Sequence, residues 1–519
     1  MTTTGDEPIL APRAPRAPRF ATRLELPVLL AGIFMIVLDF FIVNVAIPSM
    51  QADVGASEAT VQWVVAGFGL ALGCGQITGG RLGDRYGRRR LFTLGMALFT
   101  VASAICGLAD TSETLLVGRV AQGLAAALMS PQILSIITVG RVGASRGRAV
   151  AAYGTTMGMA AACGQLIGGA LTQADVAGLG WRACFLINLP IGLVVVALAP
   201  RAIRESRLEE RPGTTRGGGG GLDLAGATLV TAALLAAVLP LVQGREAGWP
   251  LWTWLCLAGA GLLFADFILH QRWMARRGRM PLVDLGLFRE RALTVGLFAS
   301  LVFFSGVASL FLILALYLQN GLGLDALRAG LVFTQLAAGY LVTSFGGGPL
   351  VRRFGRVALA AGALEMAGGL GLLALVVHHV GTTGPVGLLT PPLLVIGAGM
   401  GMVMAPLIGV VLAGVTPRSA GTASGLLATA QQVGNALGVA VVGVIFFGAL
   451  GDAAGDGAAA YPHALVISIG YLAATSVVSA TLLMFLPAAH RADAEPSVTG
   501  QPIPEQGGAS EYLPGSTRV

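Results

Sequence analysis

Apolar residues in this chain come in long, nearly unbroken windows, without the strict alternation of a half-buried strand or the one-sided stripe of a surface helix. The first window, Leu26 to Pro48, is long enough to cross a hydrocarbon core of about 30 Å, which takes about 20 apolar residues. Further windows fall near 60–82, 91–110, 114–139, 148–171, 181–200, 222–243, 251–270, 292–319, 326–350, 355–378, 386–412, 421–448 and 463–487. The pattern therefore predicts an all-α membrane protein of about fourteen transmembrane helices, because a helix satisfies its own backbone hydrogen bonds inside lipid.

Composition agrees with the pattern. Of the 519 residues, 55% are hydrophobic and only 11% charged, too apolar for an average soluble domain. A formal charge of +7 would suggest a nucleic-acid partner if the cations were clustered, but they are all Arg and, Arg119 foremost among the exceptions, lie in loops between the apolar windows. Arg81, Arg85, Arg88, Arg89 and Arg90 follow window two, Arg141, Arg146 and Arg148 follow window four, and Arg201, Arg204, Arg207, Arg211 and Arg216 follow window six. Arg272, Arg276, Arg277, Arg279, Arg352, Arg353, Arg356 and Arg418 continue the alternation. Cytoplasmic loops retain positive charge during insertion, so both termini are expected in the cytoplasm of a multi-pass plasma-membrane protein. Cys74, Cys106, Cys163, Cys184 and Cys256 lie in apolar windows without CxxC spacing, and imply neither disulfides nor a metal site.

A weak internal repeat divides the chain. GGRLGDRYGR at 79–88 aligns with GGPLVRRFGR at 347–356, and CGQLIGGA at 163–170 with VGNALGVA at 433–440, at nearly equal offsets. Parallel halves of this kind bind substrate at their interface. The expected layout is a basic, Pro-rich disordered tail (1–24), a six-helix bundle (25–200), a Gly/Arg linker (201–221), two inserted helices (222–270), a loop (271–291), a second six-helix bundle (292–487) and a disordered tail (488–519). Both tails and the linker are placed on the cytoplasmic side.

Charges inside the windows are the candidate chemistry. A carboxylate at a helix centre costs about 2.5–3.5 kcal/mol on insertion scales, so its default reading is functional. Asp39 interrupts VLDFFIVNVAIP in window one, and Arg119, in window four, falls at a depth that allows the two to pair. The pattern leaves open whether the guanidinium keeps the carboxylate ionised or burial favours its neutral form, and a permanent salt bridge between helices is the competing structural role. Glu365 lies near the middle of window eleven and is a second candidate carboxylate. Asp266 and His270 fall where snorkelling to the cytoplasmic surface is cheap.

Six stretches together resemble the major facilitator superfamily, and more closely its fourteen-helix drug:proton antiporter branch: VLDFFIVNVAIP, GGRLGDRYGRRRL, LLVGRVAQGLAAALMSP, WRACFLINLPIG, PLVDLGLFRERAL and GTASGLLATAQQVGNALG. The resemblance covers nearly all of 25–487. It implies two six-helix bundles plus two inserted helices, no catalysis, no cofactor and no metal. It also implies proton-coupled efflux of drug-like or antibiotic molecules by alternating access, from a chain expected to be monomeric. Proton coupling is expected at Asp39, Arg119 and Glu365. Gly80, Asp84, Arg85, Gly87 and Arg88 match the superfamily's gating motif, with Asp84 expected against the N-terminus of window thirteen near Gly421. Phe41, Asn44, Trp63, Gln122, Gln165, Gln335 and Asn435 are the substrate-cavity candidates. The Gly series 154, 158, 164, 168 and 169 resembles the antiporter motif, but Gln165 stands where that motif has Pro, and Phe41 stands where the first-helix motif has Thr. The alternatives are a nutrient symporter or uniporter of the same fold, or a membrane sensor or scaffold. The chain has no P-loop, HExxH or GxSxG with triad partners to suggest an enzyme.

Overall fold

The computed structural model describes residues 19–141, 143–206, 223–279, 281–412, 420–452 and 454–487. The tail at 1–18, most of the Gly/Arg linker, Arg418 and the tail from 488 onward lie outside the described residues. Thirteen helices in this range are long and apolar enough to cross a membrane, and a fourteenth long helix, Gly143–Ala174, stands where window five predicts one.

In chain order the long helices are α1 (Arg19–Val54), α2 (Glu58–Tyr86), α3 (Arg88–Gly107), α4 (Ser112–Val139), α5 (Gly143–Ala174) and α6 (Gly180–Ala202). Next come α7 (Leu224–Gln243) and α8 (Leu251–Arg276). The last six are α9 (Arg291–Leu316), α10 (Ala326–Gly346), α11 (Arg356–Val380), α12 (Thr390–Leu412), α13 (Ala420–Asp452) and α14 (Ala460–Met484). No strand occurs among the described residues. Polar residues in the loops set several helix starts by accepting from orphan N–H groups: Ser57 from Thr60, Thr111 from Thr114, Asp223 from Gly226 and Asp325 from Arg328.

Packing follows the repeat. In the first half α4 packs on α2 and α3, and α1 on α5 and α6; in the second, α9 packs on α13 and α14, and α12 on α10 and α11. The halves meet along two helix pairs, α2 with α13 and α5 with α10. Helices α7 and α8 pack on each other, and α7 also touches α2 and α13.

Glycine makes the close meeting possible at the end of the molecule away from the Arg-rich loops. A Cβ on Gly169 would stand 2.3 Å from the carbonyl oxygen of Ala326, and one on Gly330 2.6 Å from that of Gln165, so α5 and α10 touch backbone to backbone there. Gln319, in a π-helical turn that ends α9, donates to the Val45 carbonyl of α1 at 2.9 Å and closes the same end. The two halves are thus shut against each other at the Arg-poor end.

Candidate functional site

Asp39 is fully buried inside the first half, where α1 faces α3, α4 and α6. Its Oδ2 accepts from Arg119 Nη1 at 2.5 Å, and its Oδ1 accepts from Gln122 Nε2 at 3.0 Å and Asn188 Nδ2 at 2.8 Å. Each donor has a second anchor. Arg119 also donates to the Val64 carbonyl at 2.9 Å and to Gln122 Oε1 at 2.9 Å, while Gln122 and Asn188 both donate to Ser103 Oγ. The guanidinium lies 4.4 Å from the Phe68 ring centroid and 5.7 Å from that of Phe185. Removing two charges from water costs several kcal/mol per ion, which these contacts offset even though Arg119 Nη2 and Asn188 Oδ1 are left without a hydrogen-bond partner. Sequence reasoning paired Asp39 with Arg119 but expected Gln122 in the substrate cavity, whereas it is buried in this network, and it missed Ser103 and Asn188; the LINLPIG stretch that carries Asn188 was the available signal.

Two residues further along α1, about 200° around the helix, Phe41 points the other way. Its ring lies 4.6 Å from that of Phe311 on α9, and Phe311 stacks on Phe333 of α10 at 5.5 Å. One turn of α1 therefore carries the buried carboxylate on one face and an aromatic contact with the second half on the other.

The remaining candidates scatter. Asn44 turns back on its own helix, donating to the Phe40 and Phe41 carbonyls. Gln165 is buried where α5 meets α10, with both amide atoms unpartnered; on α10, Gln335 is half-buried with an unpartnered Oε1. Asn435 on α13 donates to Gln432 Oε1 at 3.2 Å, and its Oδ1 is unpartnered. Trp63 lies apart from these, facing the inserted helices.

Glu365 does not join the Asp39 group. It is exposed on a stripe of α11 with Ala361, Leu364 and Gly368, turned away from α12 and α14, because its helix buries the Gly362, Met366 and Gly369 side instead. In the last turn of α2, Asp84 accepts from Nε of Arg88, the first residue of α3, at 3.0 Å and from its Nη2 at 2.7 Å. The turn at 413–419, before its expected partner at Gly421, lies outside the described residues. Gly87 has φ +107°, and a Cβ there would meet the Glu205 carboxylate at 2.6 Å, so both backbone and space demand glycine. That carboxylate accepts from the Arg89 backbone N–H. Gly80 has no such constraint: a Cβ would rest 3.6 Å from Pro131. Arg85 lies 5.5 Å from the Tyr86 ring centroid. His270 is engaged with Asp223 instead of snorkelling, as described below.

The family model of the Major Facilitator Superfamily matches residues 29–439, a span that holds the Asp39 network, the first half from α1 on, the inserted pair and the second half as far as α13. The chain belongs to this superfamily. Among its relatives, a probable actinorhodin transporter of Streptomyces coelicolor is 40% identical over 84% of this chain and 75% of its own length. A tetracenomycin C resistance and export protein of Streptomyces glaucescens is 33% identical over 82% of this chain and 77% of its own, and a puromycin resistance protein of Streptomyces alboniger is 34% identical over 88% and 90%. Solved structures share the fold at low identity: a peptide transporter of the POT family with TM-score 0.63 at 16% identity, covering 90% of this chain and 98% of that one, and a xylose transporter from E. coli with TM-score 0.60 at 15%, covering 91% and 98%. As a superfamily member the chain is a multi-pass membrane transporter acting on small molecules, and its relatives' names support efflux of drug-like compounds.

Proposed function

We propose that the protein exports an antibiotic-type, amphipathic or aromatic small molecule across the plasma membrane in exchange for protons, by alternating access. The observation that carries this reading is the Asp39 network, a fully buried carboxylate held by Arg119, Gln122 and Asn188 on a helix whose opposite face touches the second half through Phe41. An acid with no contact to water in this closed arrangement exchanges its proton only when the halves move. A change of charge at Asp39 alters how tightly α1 is held to α4 and α6, and α1 transmits the change to the Phe41, Phe311 and Phe333 rings. The cargo lies between the halves, where Gln165, Gln335 and Asn435 offer unpartnered amide groups beside aromatic walls. Asp84, Arg85 and Arg88 act at the Arg-rich end, as the gate that shuts when the opposite end opens. In this reading both termini are cytoplasmic, and Glu365 has no part in proton transfer.

The names of the relatives at 33–40% identity favour export over nutrient uptake. The test is uptake of a fluorescent aromatic cation, and of puromycin, into inverted vesicles with and without a proton gradient. Gradient-dependent accumulation that Asp39→Asn abolishes, with the variant still inserted at normal levels, is the expected result. Accumulation that survives collapse of the gradient rules out proton coupling, and full transport by the Asn variant removes Asp39 from the mechanism.

A further inference from the structure

Helix α7 is tied to α2 at both ends and touches it between them where the Cys74 thiol meets the Thr231 hydroxyl, with a slot open beside that contact. At the Arg-rich end the buried Asp223 carboxylate accepts from His270 Nε2 at 2.8 Å, Gln271 Nε2 at 2.9 Å and the Leu282 N–H at 3.1 Å. Arg81 of α2 donates to the carbonyls of Pro281 and Leu282 in that same segment. At the Arg-poor end Arg245 pairs with Glu58, and Glu246 accepts from the Ala59 N–H of α2 at 2.8 Å.

Between these clasps many of the facing residues are small, Gly67 and Ala71 on α2 and Ala227, Thr231 and Ala232 on α7, interleaved with Leu70 and Leu82 of α2 and Leu224 and Leu235 of α7. Small residues on facing membrane helices ordinarily let the backbones close to contact. Here they leave a slot of about 940 Å³, walled also by α3 and α4 and almost wholly apolar. Trp63 lines the slot and also a second hollow of about 400 Å³ at the Arg-poor face, where Ser57, Thr60, Trp252 and Glu246 form the walls. Glu246 is the one charged residue among the described residues lining either hollow.

We propose that this slot binds one phospholipid carrying an ammonium headgroup, its acyl chain lying between α7 and the first half and its head beside Glu246, Trp63 and Trp252. The apolar length suits an alkyl chain. The indole faces and the single carboxylate attract an ammonium, and the carboxylate repels a head whose net charge is negative. The clasps fix the slot in advance, so little order is lost on binding. The lipid then fills the packing that side chains leave undone between the inserted pair and the first half. This site is separate from the path between the halves, and the inference does not depend on what is exported.

The test uses the full chain. Native mass spectrometry with equal amounts of phosphatidylethanolamine, phosphatidylcholine and phosphatidylglycerol reads the preference, and phosphatidylethanolamine with a photoactivatable acyl chain maps the contacts. Phosphatidylethanolamine and phosphatidylcholine should both be retained in preference to phosphatidylglycerol, and the crosslinks should concentrate on 227–235 of α7 and on the facing part of α2. Ala232→Trp, which fills the slot, should lower retention about tenfold, the equivalent of about 1.4 kcal/mol. Glu246→Gln should keep a bound lipid but lose the preference over phosphatidylglycerol. Equal retention of the three lipids by the unaltered chain overturns the proposal. So do crosslinks no denser in the slot than on the exposed stripe of α11, a readout that needs no variant to fold.

Discussion

A single buried ion pair sets the terms at the level of residues. Arg119 makes contacts that no other cation reproduces, a planar fork reaching Asp39, Gln122 and the Val64 carbonyl while two rings cover its faces. Arg119→Ala leaves the Asp39 carboxylate buried without its cation and should cost about 3–5 kcal/mol, read as a large drop in melting temperature of the purified protein. Arg119→Lys should restore much of that stability but little transport, since an ammonium cannot span the same acceptors. Asn188→Ala removes one donor from the carboxylate and should destabilise by about 1–3 kcal/mol. Asp39 and Arg119 were legible in the sequence because a charge in an apolar window stands out. Asn188 and Ser103 were not, since an amide or hydroxyl in such a window is common and its partners lie far along the chain. Glu365 stood out equally well but faces outward; depth can be counted along a helix, whereas the face depends on neighbours that the sequence does not name.

Two kinds of helix contact matter at the next scale. Where α5 meets α10, the backbones touch at Gly169 and Gly330, and a side chain there holds the helices apart. Gly169→Val should stop the Arg-poor end from closing and abolish transport while the protein remains folded; spin labels placed across that end should report a longer distance than in the unaltered chain. Helix α7 depends on polar ties instead. Burial pushes the Asp223 carboxyl up, but hydrogen bonds from Gln271, His270 and the Gly226 and Leu282 N–H groups outweigh it and hold the group below its ordinary 3.8. A group depressed on folding stabilises above its unfolded value and loses that contribution as pH falls through the lower folded value. The melting temperature should therefore be insensitive to Asp223 ionisation between about pH 5 and 8 and fall only in stronger acid. Asp223→Asn should lower it near neutrality, and the gap to the unaltered chain should shrink in strong acid. The helices themselves were legible because each apolar window is bounded by Arg or Gly. The ties were not, because Asp223 and Arg81 are 142 positions apart and read locally as a helix cap and a loop cation.

For the molecule as a whole, the repeat and the Arg alternation anticipated two halves with an inserted pair, and the meeting of α2 with α13 and α5 with α10 gives that division its physical form. Which end of the molecule is shut was not legible, since glycines recur along the whole of the interfacial helices and the sequence does not say which of them meet across the halves. Nor was the separation of roles. The buried Asp39–Arg119 pair sits wholly within the first half, whereas most of the contacts proposed for the cargo, the rings of Phe311 and Phe333 and the amides of Gln335 and Asn435, belong to the second, with Phe41 and Gln165 facing them from the first. On the proposed reading, proton coupling is housed in the first half and most of the cargo choice in the second. A chimera that keeps residues 1–200 and borrows its remaining helices from a tetracenomycin exporter should run on the first parent's driving ion and carry the second parent's antibiotic, so that new resistances can arise by exchanging one half while the engine is left alone.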